Sequence, residues 1–93
     1  MIKPNTLEDK AELLKALAHP ARLCIVKGLL DNGKGNVTYM QQCMELPQST
    51  ISQHVARLKS AGIIHGTRQG LEIQYKVVNE AAIHVVNALF EEE

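Results

Sequence analysis

Residues 46–64, LPQSTISQHVARLKSAGII, constrain this chain more than any other stretch, because they demand a helix with two unlike faces and a defined stop. Ile51, Val55 and Leu58 fall at i, i+4 and i+7, which sets three apolar side chains on one helical stripe facing a core. Pro47 can stand only at a helix start and Gly62 suits a left-handed helix end, so the helix is predicted over Gln48 to Ser60. The opposite side carries Ser49, Thr50, Ser52 and Gln53, with Arg57 and Lys59 farther along. A face that only needs wetting usually carries Glu and Lys. Short hydroxyls and amides suit the reading of base edges in a DNA groove.

The chain before this helix breaks twice. Thr6 followed by Asp9 predicts a capped start, and Leu7, Ala11, Leu14, Leu17 and Ala18 recur at helical spacing, so a first helix is expected over about 6–18 after a loose arm at 1–5. His19-Pro20 ends it and opens a second helix to about Asp31, with Ile25, Val26, Leu29 and Leu30 inward. The turn cluster DNGKGN at 31–36 follows. Thr38 and Gln41 have the spacing of a capping box, and Met40, Cys43 and Met44 would form the apolar face of a third helix of about two turns. Two short helices separated by Leu46-Pro47 make a helix-turn-helix over about 38–61, whose second member is the reading helix by position.

Beyond Gly62 the period becomes two: Leu71, Ile73, Tyr75 and Val77 alternate with Glu72, Gln74, Lys76 and Val78. Ile63 to Arg68 supplies a partner strand and Gln69-Gly70 the bend, a hairpin or wing over about 63–78. Asn79 can cap a last helix over about 80–91, EAAIHVVNALFE, which is apolar on nearly all sides and so calls for burial on more than one. In so short a chain the second cover is expected to be another copy, with Leu7 and Leu14 of the first helix and Ala82, Val85, Val86, Leu89 and Phe90 of the last as the self-interface. Glu91 to Glu93 would fray. The fold class is mainly α with a small β-hairpin: one winged helix-turn-helix domain of five helices over 1–93, homodimeric through its first and last helices.

A hydrophobic share of 45% with only three aromatics implies a core of aliphatic side chains. The formal net charge of zero conceals a division: +1 over 1–45, +3 over 46–78 and −4 over 79–93. The basic excess coincides with the reading helix and wing, where phosphate would lie. The apolar runs fall short of the roughly 18 residues that read as a membrane span, and the N-terminus lacks a signal-peptide pattern, so a soluble, cytoplasmic protein with no membrane partner is expected. Cys24 and Cys43 suit a reducing compartment as small core fillers, with a redox pair as the sharper alternative. No phosphate loop, carboxylate pair or nucleophile with its base can be assembled, which removes enzyme classes and leaves no cofactor to expect. The competing class is a winged-helix protein-interaction module. Such a face would be expected to carry exposed aromatic or aliphatic anchors where Ser49, Ser52 and Gln53 stand.

ALAHPARLCIV at 16–26, LPQSTISQHVARLKSAGII at 46–64 and RQGLEIQYKV at 68–77 resemble the three most recognisable blocks of the ArsR/SmtB bacterial transcriptional repressors, and the likeness covers about residues 7–90. The second and third blocks resemble the PagR-like branch, whose members lack the metal ligands of their relatives. The resemblance implies a homodimer on a pseudo-palindromic double-stranded operator. It places Ser49, Ser52 and Gln53 at bases, with Gln48, Thr50, His54 and Arg57 beside them and Arg68 and Gln69 at the wing tip; the polar face of the helix adds Lys59 to the expected DNA contacts. His54, next to inward Val55, could equally brace a helix junction. Where metal-sensing relatives carry a Cys-x-Cys pair, this chain has Asn36 and Thr38. Where they carry ligands on the last helix, it has Asn79 and a single His84, so no metal is expected.

Overall fold

In the computed structural model residues 3–91 are described, and they form five helices and one hairpin in the predicted order. Helix α1 runs Pro4–Leu17 and so begins earlier than Thr6. Pro4 occupies the first turn, where its missing N–H costs nothing and its fixed φ is already helical. The Thr6 N–H is taken by the Asn5 side-chain oxygen at 3.0 Å, so Thr6 is not the cap, and of the expected arm only Met1 and Ile2 lie outside the described residues. Helix α2, Pro20–Asn32, is capped by His19, whose Nδ1 accepts the Ala21 N–H at 3.0 Å.

Helix α3 is a single short turn, Val37–Gln41, shorter than expected. Its cap is Asn36 and not Thr38: Asn36 has extended backbone and its Oδ1 accepts the Tyr39 N–H at 2.8 Å, which leaves Thr38 already inside the helix. The turn to the next helix passes through Glu45 at φ 53°, a left-handed conformation unusual for a side-chain-bearing residue. Helix α4 then spans Gln48–Ser60 and stops before Gly62, whose φ of 73° reverses the chain.

Strands β1, Ile64–Gln69, and β2, Glu72–Val77, pair antiparallel through a bend at Gly70, φ 67°. Gly35, in the loop after α2, exchanges two backbone hydrogen bonds with Tyr75, at 3.0 and 2.8 Å, and so ties that loop to the wing. Along β2 the expected inward row is buried at Tyr75 and Val77 only; Ile73 is 41% and Leu71 98% exposed, because the hairpin projects past the end of the core. Helix α5, Glu80–Phe90, starts at Asn79, whose Oδ1 accepts the Ala82 N–H at 2.9 Å.

The core is aliphatic apart from Tyr75. Ala16 and Leu17 of α1, Ile25, Val26 and Leu29 of α2, Met40 of α3 and the Ile51, Val55, Leu58 stripe of α4 meet Ile63, Ala82 and Val86. At roughly 1.5–3 kcal/mol per buried aliphatic side chain, the α4 stripe contributes on the order of 5–9 kcal/mol before chain entropy. Met44, expected on the apolar face of α3, is 44% exposed because the helix has already ended.

Two further expectations are corrected. Ala82 and Val86, assigned to the self-interface, are fully buried in the chain's own core, because this i, i+4 pair shares the face of α5 that packs on the core cluster. Cys24 and Cys43 are half-buried, not core fillers, and are joined as a disulfide with Cα atoms 5.9 Å apart, stitching α2 to the turn after α3. The spacing is the usual one for a disulfide.

Candidate nucleic-acid interface

Helix α4 has three sides, set by its 3.6-residue period. Ile51, Val55 and Leu58 bury. Directly opposite, Ser49, Ser52 and Gln53 are exposed together with Ala56, with Gln48 and Lys59 exposed along one margin. Thirteen residues give a rod about 20 Å long and about 10–12 Å thick with its side chains, the width that a B-DNA major groove admits. Its exposed groups are short donors and acceptors plus the methyl of Ala56, the kind of apolar surface that suits a thymine methyl.

The other margin, Thr50, His54 and Arg57 at i, i+4 and i+7, is half-buried. The structure therefore divides the expected site. His54 Nδ1 lies 3.3 Å from Nη1 of Arg22 on α2, and its ring packs on His19 with centroids 4.4 Å apart. Burial pushes the His54 imidazole below its ordinary value of 6.5, and the neighbouring His19 and Arg22 push the same way. Arg57 points to α1, where its Nη2 meets a Glu12 carboxylate oxygen at 3.5 Å, and Glu12 also pairs with Lys15 at 3.2 Å. Both ion pairs are solvent-exposed and weak. Arg57 thus rests against α1 through a weak pair that a phosphate could displace.

Arg68 and Gln69 are exposed at the end of β1 beside the Gly70 turn, on opposite faces of the hairpin. Lys34 Nζ donates to Gln69 Oε1 at 3.4 Å, which adds a cation from the α2–α3 loop to the wing. Sequence reasoning missed Lys34, Ala56 and Arg22. Lys34 sat in a turn cluster, Ala56 has no chemistry of its own, and Arg22 acts on a residue 32 positions away. Gly66 is also needed where it stands: a Cβ there would lie 2.8 Å from Ile73 Cγ2 and from the Tyr75 ring.

No family model matches the chain. Individual proteins do. It is 44% identical over 88 residues to the transcriptional repressor PagR of Bacillus anthracis, covering 95% of this chain and 88% of that protein. It is 37% identical to the repressor SmtB of Mycobacterium tuberculosis across 89% of this chain and 62% of that protein. The crystal structure of PagR superposes with a TM-score of 0.84 at 42% identity, over 94% of this chain and 99% of that one. That of the repressor BigR from Xylella fastidiosa gives 0.81 at 32%, over 97% and 95%. This chain belongs to the ArsR/SmtB family.

The family's metal-binding positions do not fit a metal in this member. Asn36 and Asn79 spend their side-chain oxygens on the first turns of α3 and α5, and His84 is exposed. Among the described residues no group of three or more His, Cys, Asp or Glu is gathered as a metal site would need. As a member of this family the chain is a sequence-specific DNA-binding regulator of transcription, and its relatives named above are repressors, not enzymes.

Proposed function

We propose that two copies of this chain, joined through α1 and α5, bind a pseudo-palindromic operator and repress transcription from it. The observation that carries the reading is the division of α4: a buried aliphatic stripe, and opposite it Ser49, Ser52 and Gln53, all exposed. Each copy lays α4 in a major groove, with Ser49, Ser52 and Gln53 at base edges and Gln48, Thr50 and Lys59 at the groove walls. Arg68 and Gln69 meet the backbone beside it from the wing. A two-fold axis then spaces the half-sites about 34–36 Å apart, one turn of the duplex.

The self-interface is supported by Leu7, Leu14 and Leu89, which are 54%, 53% and 60% exposed, together with half-buried Val85 and Phe90. Three large aliphatic side chains left to water on the first and last helices are a surface that a second copy would cover. Among the described residues no helix is long and apolar enough to cross a membrane, and the proposed work on DNA would be done in the cytoplasm. The Cys24–Cys43 pair supports a redox input: reduction by a thiol adds two electrons and two protons and removes the covalent tie between α2 and the turn after α3. That leaves the Tyr39 hydroxyl on the Gly28 carbonyl and the core contacts of Met40 to hold the first half of the helix-turn-helix.

Selection of bound duplexes from a random pool tests the reading. A two-fold symmetric motif with half-sites one helical turn apart is the expected result. Recovery of the unenriched pool would favour a protein-interaction module.

A further inference from the structure

Arg22 sits in the first turn of α2, away from the reading face, yet its guanidinium holds three elements together. Nε donates to the Ala16 carbonyl at 2.6 Å and Nη2 to the Lys15 carbonyl at 3.4 Å. Both belong to the last turn of α1, where the Lys15 carbonyl also takes the Ala18 N–H at 3.2 Å. Nη1 lies 3.3 Å from His54 Nδ1 on α4. A guanidinium has donors only, so this contact is a hydrogen bond in the neutral imidazole that carries its proton on Nε2 and accepts at Nδ1. His19, whose ring centroid lies 4.4 Å from that of His54, accepts the Ala21 N–H at its own Nδ1.

We propose that Arg22, acting through His54, is a positioning residue for operator binding: it fixes the rotation of α4 against the end of α1 and so sets how the two reading helices of a dimer meet successive grooves. The proposal rests on the dimeric operator reading above. Its physical ground is direction. The Ile51, Val55, Leu58 stripe holds α4 by apolar contact, which is non-directional and tolerates small rotations. A planar fork with fixed donors tolerates far less, and a base contact is lost within a few tenths of an ångström of its 2.7–3.2 Å range. Because α1 carries Leu7 and Leu14, anchoring α4 to its last turn also anchors α4 to the expected twin.

The charges around the joint make it respond to acid. Facing His54 are His19 from the α1–α2 junction and Arg22 from α2, while Arg57 on α4 itself, paired to Glu12 of α1, bears on Arg22. A proton on Nδ1 removes the acceptor and sets a second cation against the guanidinium. Since the folded protein holds this imidazole below 6.5, the unfolded chain binds the proton more readily: stability begins to fall as pH drops through 6.5, and the joint itself is lost as pH falls through the lower folded value.

The test measures affinity for a duplex enriched by selection and for a scrambled duplex, using Arg22→Gln, Arg22→Lys and His54→Gln, with circular dichroism recording the folded fraction. Both Arg22 variants are expected to bind the selected duplex about tenfold more weakly per folded molecule, the equivalent of one good base contact. Scrambled-duplex affinity and salt slope should stay unchanged, because no phosphate contact is removed. Wild-type affinity should hold above pH 6.5 and fall as pH is lowered below it, and His54→Gln, which keeps an acceptor but cannot titrate, should flatten that fall.

Equal binding of wild type and both Arg22 variants would overturn the proposal. So would a parallel loss on both duplexes with a salt slope lower by about 1, which would make Arg22 a phosphate contact. If Arg22→Gln does not fold, Arg22→Lys and the His54→Gln pH profile decide alone, and an unflattened profile counts against the joint. A wild type without preference for any duplex would instead overturn the operator reading beneath it.

Discussion

Asn36 and Asn79, where the family resemblance would put metal ligands, act as helix caps, which gives a quantitative prediction. Asn79 Oδ1 takes the Ala82 N–H at 2.9 Å and Asn36 Oδ1 the Tyr39 N–H at 2.8 Å. Replacing a capping Asn by Ala costs about 0.5–2 kcal/mol, typically ~1. In a domain of this size each kcal/mol lowers Tm by roughly 4–8 °C, so Asn79→Ala should melt about 4–8 °C below wild type. Asn36→Ala should do the same, with a larger share of the loss in α3, which has only five residues to hold it. The two caps serve different helices and share no partner, so the double variant should lose about 2 kcal/mol, the sum of the singles. Asn79→Asp keeps an acceptor and adds a negative charge at a helix N-terminus, so it should match wild type or exceed it slightly. The assay is thermal melting by circular dichroism at fixed protein concentration, with and without zinc. A zinc-dependent rise in wild-type Tm that Asn79→Ala abolishes would refute the cap assignment, as would unchanged Tm in both single variants.

Three other outcomes follow from the same geometry. Reducing the Cys24–Cys43 bridge, 19 residues apart, should cost about 3 kcal/mol by loop-closure entropy, read as a lower urea midpoint that Cys24→Ser/Cys43→Ser reproduces without reductant. Glu45→Gly should raise stability by about 0.5–1 kcal/mol in the same titration, since glycine meets no steric cost at φ 53°. Leu89→Asp, at an exposed position on α5, should yield monomers in sedimentation at concentrations where wild type is dimeric, and a persistent dimer would remove α5 from the interface.

Elements with strong local punctuation were legible. Pro47 and Gly62 bounded α4 to the residue, and Asn79 marked the start of α5. Boundaries with two competing signals were not: Thr38 and Gln41 have the spacing of a capping box, but Asn36 lies two residues earlier in extended backbone and takes the role first. Alternation along β2 named the face but not the depth, since Leu71 and Tyr75 share a face and differ entirely in burial. An all-apolar α5 showed that a second cover was needed but not which residues it takes, and Ala82 and Val86 went to the chain's own core. Of the candidate site, the exposed Ser49, Ser52 and Gln53 followed from helical period alone. The half-buried margin did not, because whether Thr50, His54 and Arg57 face DNA or α1 depends on how α4 docks, and Arg22 and Glu12 are far away in sequence.

The central claim, that the exposed face of α4 reads bases, is tested most directly by titrating Ser52→Ala and Gln53→Ala against the selected operator and a scrambled duplex. Each should lose about 1–3 kcal/mol on the operator, with scrambled-duplex affinity and salt slope unchanged. Operator affinity equal to wild type in both variants would contradict it.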